Sequence, residues 1–304
     1  MNALDALFAT TLDCAGRRLV LDRPRVVGIV NVTPDSFSDG GQHASTQAAV
    51  AHGLRLAEEG ADMLDIGGES TRPGVDDVAA DEELARVVPV IEQLAARTPL
   101  PIAVDTSKPE VMRAAVAAGA GMVNDVYALR REGALETVAE LGVPVCLMHM
   151  QGEPRSMQVE PHYADVIGEV HRFLADRLFA CELAGIERRR VLVDPGFGFG
   201  KNLEHNLALL AALERFSDLG SGVYVGLSRK SMLGELTGRR QPAERVAASV
   251  AAALVAVQRG ARLVRVHDVA PTLDALAVWR GVAALDRAPR REETPVAPRW
   301  PDED

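Results

Sequence analysis

Short runs of β-branched and aliphatic residues recur along the chain, each followed by a stretch whose apolar residues return with helical periodicity. The runs cover residues 26–32, 63–66, 102–104, 122–126, 143–148, 191–193, 223–227 and 263–266. Within them apolar residues hardly alternate with polar ones, so both faces of each strand need a cover, as parallel sheets require. Eight such strand–helix units in succession predict an α/β fold, a (β/α)8 TIM barrel, over a doubly wound open sheet. Ser45 is placed to cap the first long helix, which ends before Gly60; another helix follows Pro109 and stops at Gly119, and a long one runs over residues 162–185. Residues 12–21 read as a short β-hairpin closing one end of the barrel. The barrel domain is expected to take up residues 1–286, and the Pro- and charge-rich stretch 287–304 to be a disordered tail.

Composition narrows the function. The 304 residues are 47% hydrophobic and 25% charged, enough for one large core. A net charge of −10 lacks the basic footprint of a nucleic-acid binder, so no nucleic-acid partner is expected, and an anionic substrate needs a local cluster of cations. Cys14, Cys146 and Cys181 are odd in number and form no CxxC pair, which suggests neither a disulfide framework nor a zinc site and fits a reducing cytoplasmic compartment. No apolar run reaches the length of a membrane span, so neither export nor membrane insertion is expected.

A parallel barrel gathers its chemistry at the carboxyl ends of its strands. Those ends carry Asn31, Asp65, Asp105, Asn124, His149, Asp194, Lys230, and Arg265 with His267. For several of these a purely structural role is the alternative. Asp65 before Gly67-Gly68 reads equally as a turn acceptor, His149 between two methionines as a core histidine, Asp194 before Pro195-Gly196 as a turn initiator, and Arg229 as a solvated surface group. Residues 31–41 form a polar loop ending in two glycines, suited to closing over a ligand. Residues 67–74 offer hydroxyls and the Arg72 guanidinium for a carboxylate or phosphate. The stretch DPGFGFGK from Asp194 to Lys201 looks like a phosphate loop, but it lacks the first glycine and has Asn202 where Ser or Thr belongs. Ser228-Arg229-Lys230-Ser231 and Arg265-Val266-His267 bring cations to the same mouth, which points to an anionic ligand.

NVTPDSFSDGG at Asn31, DIGGESTRPG at Asp65, VDTSKP at Val104, NDV at Asn124, MHMQG at Met148, DPGFGFGK at Asp194, SRKS at Ser228 and RVHDV at Arg265 together resemble dihydropteroate synthases of the pterin-binding enzyme family, in that family's order over residues 31–269. The resemblance implies a transferase of folate biosynthesis, condensing 6-hydroxymethyl-7,8-dihydropterin pyrophosphate with p-aminobenzoate and releasing pyrophosphate. It implies that Asp105, Asn124, Asp194 and Lys230 read the pterin edge, carboxylates accepting from ring donors while Asn and Lys donate. It assigns Asn31, Arg265 and His267 to pyrophosphate, with Mg²⁺ as cofactor and Asn31 as its direct protein ligand. Asp35 is implied to stabilise a pterin methyl cation, and Thr71, Arg72, Pro73, Phe199, Lys230 and Ser231 to form the p-aminobenzoate pocket, where sulfonamides compete. A homodimer is also implied, with the Ala-rich stretch 247–257 facing either the second copy or its own barrel.

Three other readings make different demands. A zinc hydrolase on a barrel wants His-x-His after the first strand, where this chain has Asn31-Val32-Thr33. A pterin-binding methyltransferase should lack the SRKS and STRP elements, both present here, and a silent paralogue is expected to lose Asn31, Arg265 or His267, all of which remain. A fused pyrophosphokinase is not expected, because barrel and tail account for the sequence.

Overall fold

The protein was analysed as a computed structural model that describes residues 10–33, 41–70, 77–152, 157, 158 and 160–287. A two-stranded antiparallel hairpin, β1 (Thr11–Cys14) and β2 (Arg17–Val20), precedes the barrel. Ala15 and Gly16 at its tip both have positive φ, 53° and 83°, the tight turn whose twist matches that of a hairpin. Eight parallel strands then close a barrel in the order β10-β3-β4-β5-β6-β7-β8-β9. They are β3 (Arg25–Asn31), β4 (Met63–Gly67), β5 (Ile102–Asp105), β6 (Met122–Asp125), β7 (Val145–Met148), β8 (Val191–Asp194), β9 (Val223–Val225) and β10 (Ala261–Val266). Around them lie α1 (Gly41–Glu58), α2 (Ala80–Arg97), α3 (Pro109–Ala117), α4 (Ala134–Leu141), α5 (Val166–Leu183), α6 (Leu203–Ala211), α7 (Ser231–Thr237), α8 (Val246–Gln258) and α9 (Val269–Arg287).

The closed barrel and its hairpin match the expectation from sequence, and the open sheet is excluded. Two boundaries differ. Gln42 and Ala44 favour helix, so α1 begins at Gly41 and Ser45 lies inside it rather than capping it. The long helix starts at Val166 because the side chain of Asp165 accepts from the backbone N–H of Gly168 and caps it there. Of the expected tail, 287–304, Arg287 ends α9 and residues 288–304 lie outside the described residues.

The strands bury both faces. Outward, Val26, Leu64, Ile66, Val104, Val123, Val193 and Val264 join the helices in the larger core. Inward, Val27, Met63, Ala103, Met122, Cys146, Leu192, Tyr224 and Leu263, one from each strand, form an apolar layer with Leu12, Cys14, Leu19 and Leu21 of the hairpin segment. The hairpin therefore plugs the amino end of the barrel, leaving the carboxyl end for chemistry.

Candidate active site

Side chains along a strand alternate between faces, so the residues two positions beyond the plug layer also point inward. They are Ile29, Asp65, Asp105, Asn124, Met148, Asp194, Gly226 and Arg265. One register step up the barrel, an apolar floor gives way to a layer holding three carboxylates, an amide and a guanidinium.

Arg265 organises this layer. Its Nε donates to Asp65 Oδ2 at 2.5 Å and its Nη2 to Asp105 Oδ2 at 2.8 Å. The same Asp65 oxygen accepts from Asn124 Nδ2 at 3.1 Å and from the Tyr224 hydroxyl at 3.4 Å. Asp65, fully buried, is thus no turn acceptor but the hub of a side-chain network. Because a carboxylate only accepts, Asn124 must turn its nitrogen toward Asp65 and its carbonyl oxygen away, which adds an acceptor on its far side. Burial pushes the Asp105 carboxyl up to about 7, with the charge of Asp65 adding to the rise and Arg265 opposing it.

Across the barrel, Asp194 and Lys230 face each other. Burial raises the Asp194 carboxyl and lowers Lys230 to about 8; their mutual attraction opposes both shifts. Asp194 Oδ1 also accepts from the Gly196 N–H at 2.7 Å, so its turn role and its place in the pocket coexist. Lys230 Nζ donates to the Phe197 carbonyl and lies 4.4 Å from the centre of the Phe199 ring, a cation on an aromatic face. His149 is a core histidine: its ring packs edge-on against Phe173, its Nδ1 lies 2.9 Å from Lys201 Nζ, and burial first, then Lys201, holds it down at about 2.

At the mouth, Ser228 Oγ accepts from the backbone N–H of His267 at 3.1 Å and lies 3.0 Å from His267 Nδ1. Ser228 thus ties both the backbone and the ring of His267 to the end of the neighbouring strand. Arg229, with φ of 58°, pairs side-on with Asp268 at 2.6 and 3.0 Å rather than standing in solvent. Ser231 opens α7. A Cβ built on Gly67 would sit 3.8 Å from Asp105 Oδ2 and 3.9 Å from Asn31 Oδ1, so two hard oxygens border a gap that a larger residue would fill.

The family model for pterin-binding enzymes matches residues 27–267. The chain is 51% identical to the dihydropteroate synthase of Escherichia coli strain K12 over 277 residues, 91% of this chain and 98% of that one. The chain belongs to the dihydropteroate synthase family. Among solved members, the Xanthomonas albilineans dihydropteroate synthase with 4-aminobenzoic acid is 67% identical with a TM-score of 0.87, covering 91% of this chain and 99% of that one. The same enzyme in complex with 7,8-dihydropteroate is 65% identical with a TM-score of 0.83, over 90% and 99% of the two chains.

Against this dihydropteroate synthase background, Asp105, Asn124, Asp194, Lys230, Phe199 and Arg265 are brought to one end of the barrel, with Asn31, Ser231 and His267 at the same strand ends. Asp35, Thr71, Arg72 and Pro73 lie outside the described residues. Reading sequence by strand end overlooked Asp65 as a network hub, Tyr224 and Lys201. Counting two residues back from the strand end would have put Asp65 on the inner face with Met63 and Gly67, whereas Tyr224 and Lys201 sit in motifs with no signal of their own. The Ala-rich stretch mostly packs on its own barrel, through Ala252, Ala253, Ala256 and Val257 of α8.

Proposed function

We infer that the protein is a dihydropteroate synthase, joining 6-hydroxymethyl-7,8-dihydropterin pyrophosphate to p-aminobenzoate. The observation that carries this is the acceptor-rich layer of Asp105, Asn124 and Asp194, closed on one edge by the Lys230 donor. A planar heterocycle with several N–H groups and an oxo group on one side is its complement, and a ring lacking those donors leaves buried acceptors unpaired, a penalty of about 5–7 kcal/mol in sites built this way.

Arg265 and His267 would receive the pyrophosphate at the mouth, and Asn31 would hold a magnesium ion through its amide oxygen. Mg²⁺, when bound, neutralises charge on the departing pyrophosphate; few protein oxygens are needed for that. The C–O bond breaks with its electron pair leaving on pyrophosphate, Asp35 stabilises the resulting methyl cation, and the arylamine lone pair forms the new C–N bond before the nitrogen loses a proton. No residue forms a covalent bond. Phe199 and Pro73 pack on the ring of the arylamine, Ser231 at the start of α7 receives its carboxylate, and Thr71 and Arg72 complete the pocket. Sulfonamides, which share the arylamine and an anionic head, compete there.

Three buried, unpaired cysteines fit a reducing cytoplasm, and no helix among the described residues is long and apolar enough to cross a membrane. A second copy of the chain is the natural cover for Val278, Val282 and Leu285, exposed along one face of α9.

Pyrophosphate release tests the reading, assayed with the dihydropterin pyrophosphate, Mg²⁺ and p-aminobenzoate, with each omitted in turn, and with Asp194→Ala. Release that needs the arylamine, yields dihydropteroate and collapses in the variant supports it; a folded protein that binds pterin without product is a silent paralogue.

A further inference from the structure

Lys201 ends the stretch that only outwardly resembles a phosphate loop, and the proposed reaction gives it no part. It is almost fully buried, at 2% exposure. Its Nζ lies 2.9 Å from each of the Gly196 carbonyl, the Phe199 carbonyl and His149 Nδ1, a ring of partners that, with the charge of Asp194, opposes the burial pushing the ammonium well below its ordinary range. Gly196, Gly198 and Gly200 alternate with the two phenylalanines, and all three have positive φ, 71°, 79° and 62°. This alternation curls the turn so that carbonyls face inward around Nζ. Space excludes other residues as well: a Cβ at Gly196 would lie 1.9 Å from the His149 carbonyl oxygen. Of the two carbonyls between those that Lys201 gathers, that of Phe197 goes to Lys230, whose Nζ rests on the Phe199 ring, and that of Gly198 accepts from Gln158 Nε2.

We propose that Lys201 is a positioning residue for the arylamine half of the site: by gathering the carbonyls of residues 196 and 199 it fixes where the Phe199 ring and the Phe197 carbonyl meet Lys230. This rests on the synthase reading. The half-sites respond differently, because Lys230 is also held by the charge of Asp194, whereas the backbone of Phe199 is set by the turn, its ring then packing beside Val126, Met148, Met150 and Met157. Removing the ammonium therefore loosens the arylamine contact more than the pterin contact.

Steady-state kinetics of the full chain with both substrates and Mg²⁺ test this in wild type, Lys201→Met and Lys201→Gln, each checked for folding by circular dichroism. The expected result is a KM for p-aminobenzoate raised about tenfold in Lys201→Met, with kcat and the KM for the pterin substrate changed less than about twofold. Lys201→Gln, which keeps two N–H donors but no charge, should fall between. A folded Lys201→Met with wild-type KM for p-aminobenzoate, or with both KM values raised alike, overturns the proposal and leaves the synthase reading standing. If both variants fail to fold, the ammonium supports the barrel at large and the local assignment is wrong. Wild type without arylamine-dependent pyrophosphate release overturns the synthase reading and this proposal with it.

Discussion

Asp65 holds Arg265 from the side: Asp65 Oδ2 takes the guanidinium Nε at 2.5 Å, while Asp105 takes Nη2 at 2.8 Å. Two of the three guanidinium nitrogens are thereby fixed, and with them the plane in which Arg265 faces the mouth of the barrel. Asp65→Asn keeps the size and one acceptor oxygen but removes the charge, so the bonds from Arg265 Nε and Asn124 Nδ2 lose their ionic partner. A charge-assisted hydrogen bond contributes about 2 kcal/mol, so kcat/KM for the pterin substrate should fall by roughly thirtyfold. Kinetics on a variant whose melting curve remains cooperative measure this. An unchanged kcat/KM would mean that the network is only scaffolding.

Lys230 sets a pH limit. Burial lowers its ammonium to about 8 despite the neighbouring Asp194, so its charge is present below that pH and disappears as pH rises through it. The profile of kcat/KM reports the free enzyme. It should therefore decline on the alkaline side near pH 8, although the pterin substrate gains no comparable group there. In Lys230→Arg the guanidinium remains charged, and that limb should disappear even if the overall rate is lower. An alkaline limb retained at the same pH in the Arg variant would assign it to another group.

The barrel and its mouth were legible because eight apolar runs without alternation leave few alternatives to a covered parallel sheet, and because strand ends point to one face. The hub role of Asp65 was not, for a physical reason: lying two residues inside the end of its strand, it looks from sequence like the start of the Gly67-Gly68 turn, and the pairing of β4 with its neighbours carries the strand on to Gly67. Lys201 was hidden similarly. A lysine at the end of a glycine-rich stretch is normally solvated, and nothing local reveals that the turn folds its carbonyls around the side chain. Ser45 misled because a good capping residue also occurs inside helices when its upstream neighbours, here Gln42 and Ala44, favour helix themselves.

Gly121 should not tolerate a side chain. Its ideal Cβ would lie 2.3 Å from both the carbonyl carbon and the oxygen of Cys14, so the hairpin backbone rests directly on it. Gly121→Ala has to lift the plug from the apolar layer of Met63, Met122 and Tyr224. Overpacking of this kind costs about 1–3 kcal/mol, measurable by denaturant unfolding. Because the contact lies at the amino end of the barrel, KM values for both substrates should remain near wild type.

Asn31 should govern magnesium dependence. Its amide oxygen borders the gap above Gly67 beside Asp105, and magnesium is commonly held by one or two protein oxygens plus phosphate. A chelator should abolish product formation and added Mg²⁺ restore it. Asn31→Ala should raise the Mg²⁺ concentration for half-maximal rate by about tenfold, comparable with losing one hydrogen bond to a charged group. A wild-type Mg²⁺ titration in this variant would remove Asn31 from the metal.

The exposed face of α9 provides a test of self-association. Val278, Val282 and Leu285 are 71%, 57% and 77% exposed and follow a four- and three-residue spacing, so they align along one side of the helix. Val255 of the neighbouring α8, 39% exposed, extends the apolar surface. Single exposed apolar residues are ordinary, but a stripe at helical spacing on the last helix of a barrel costs solubility unless something covers it. A second copy related by twofold symmetry would lay the same stripe against itself. Sedimentation of the wild-type chain at micromolar concentration should therefore give a dimer. Replacing Val282 and Leu285 with Lys should yield a folded monomer, because two ammonium groups per chain would face their counterparts across the axis. Sedimentation of wild type as a monomer, or of the double variant as an unaltered dimer, would move the interface elsewhere.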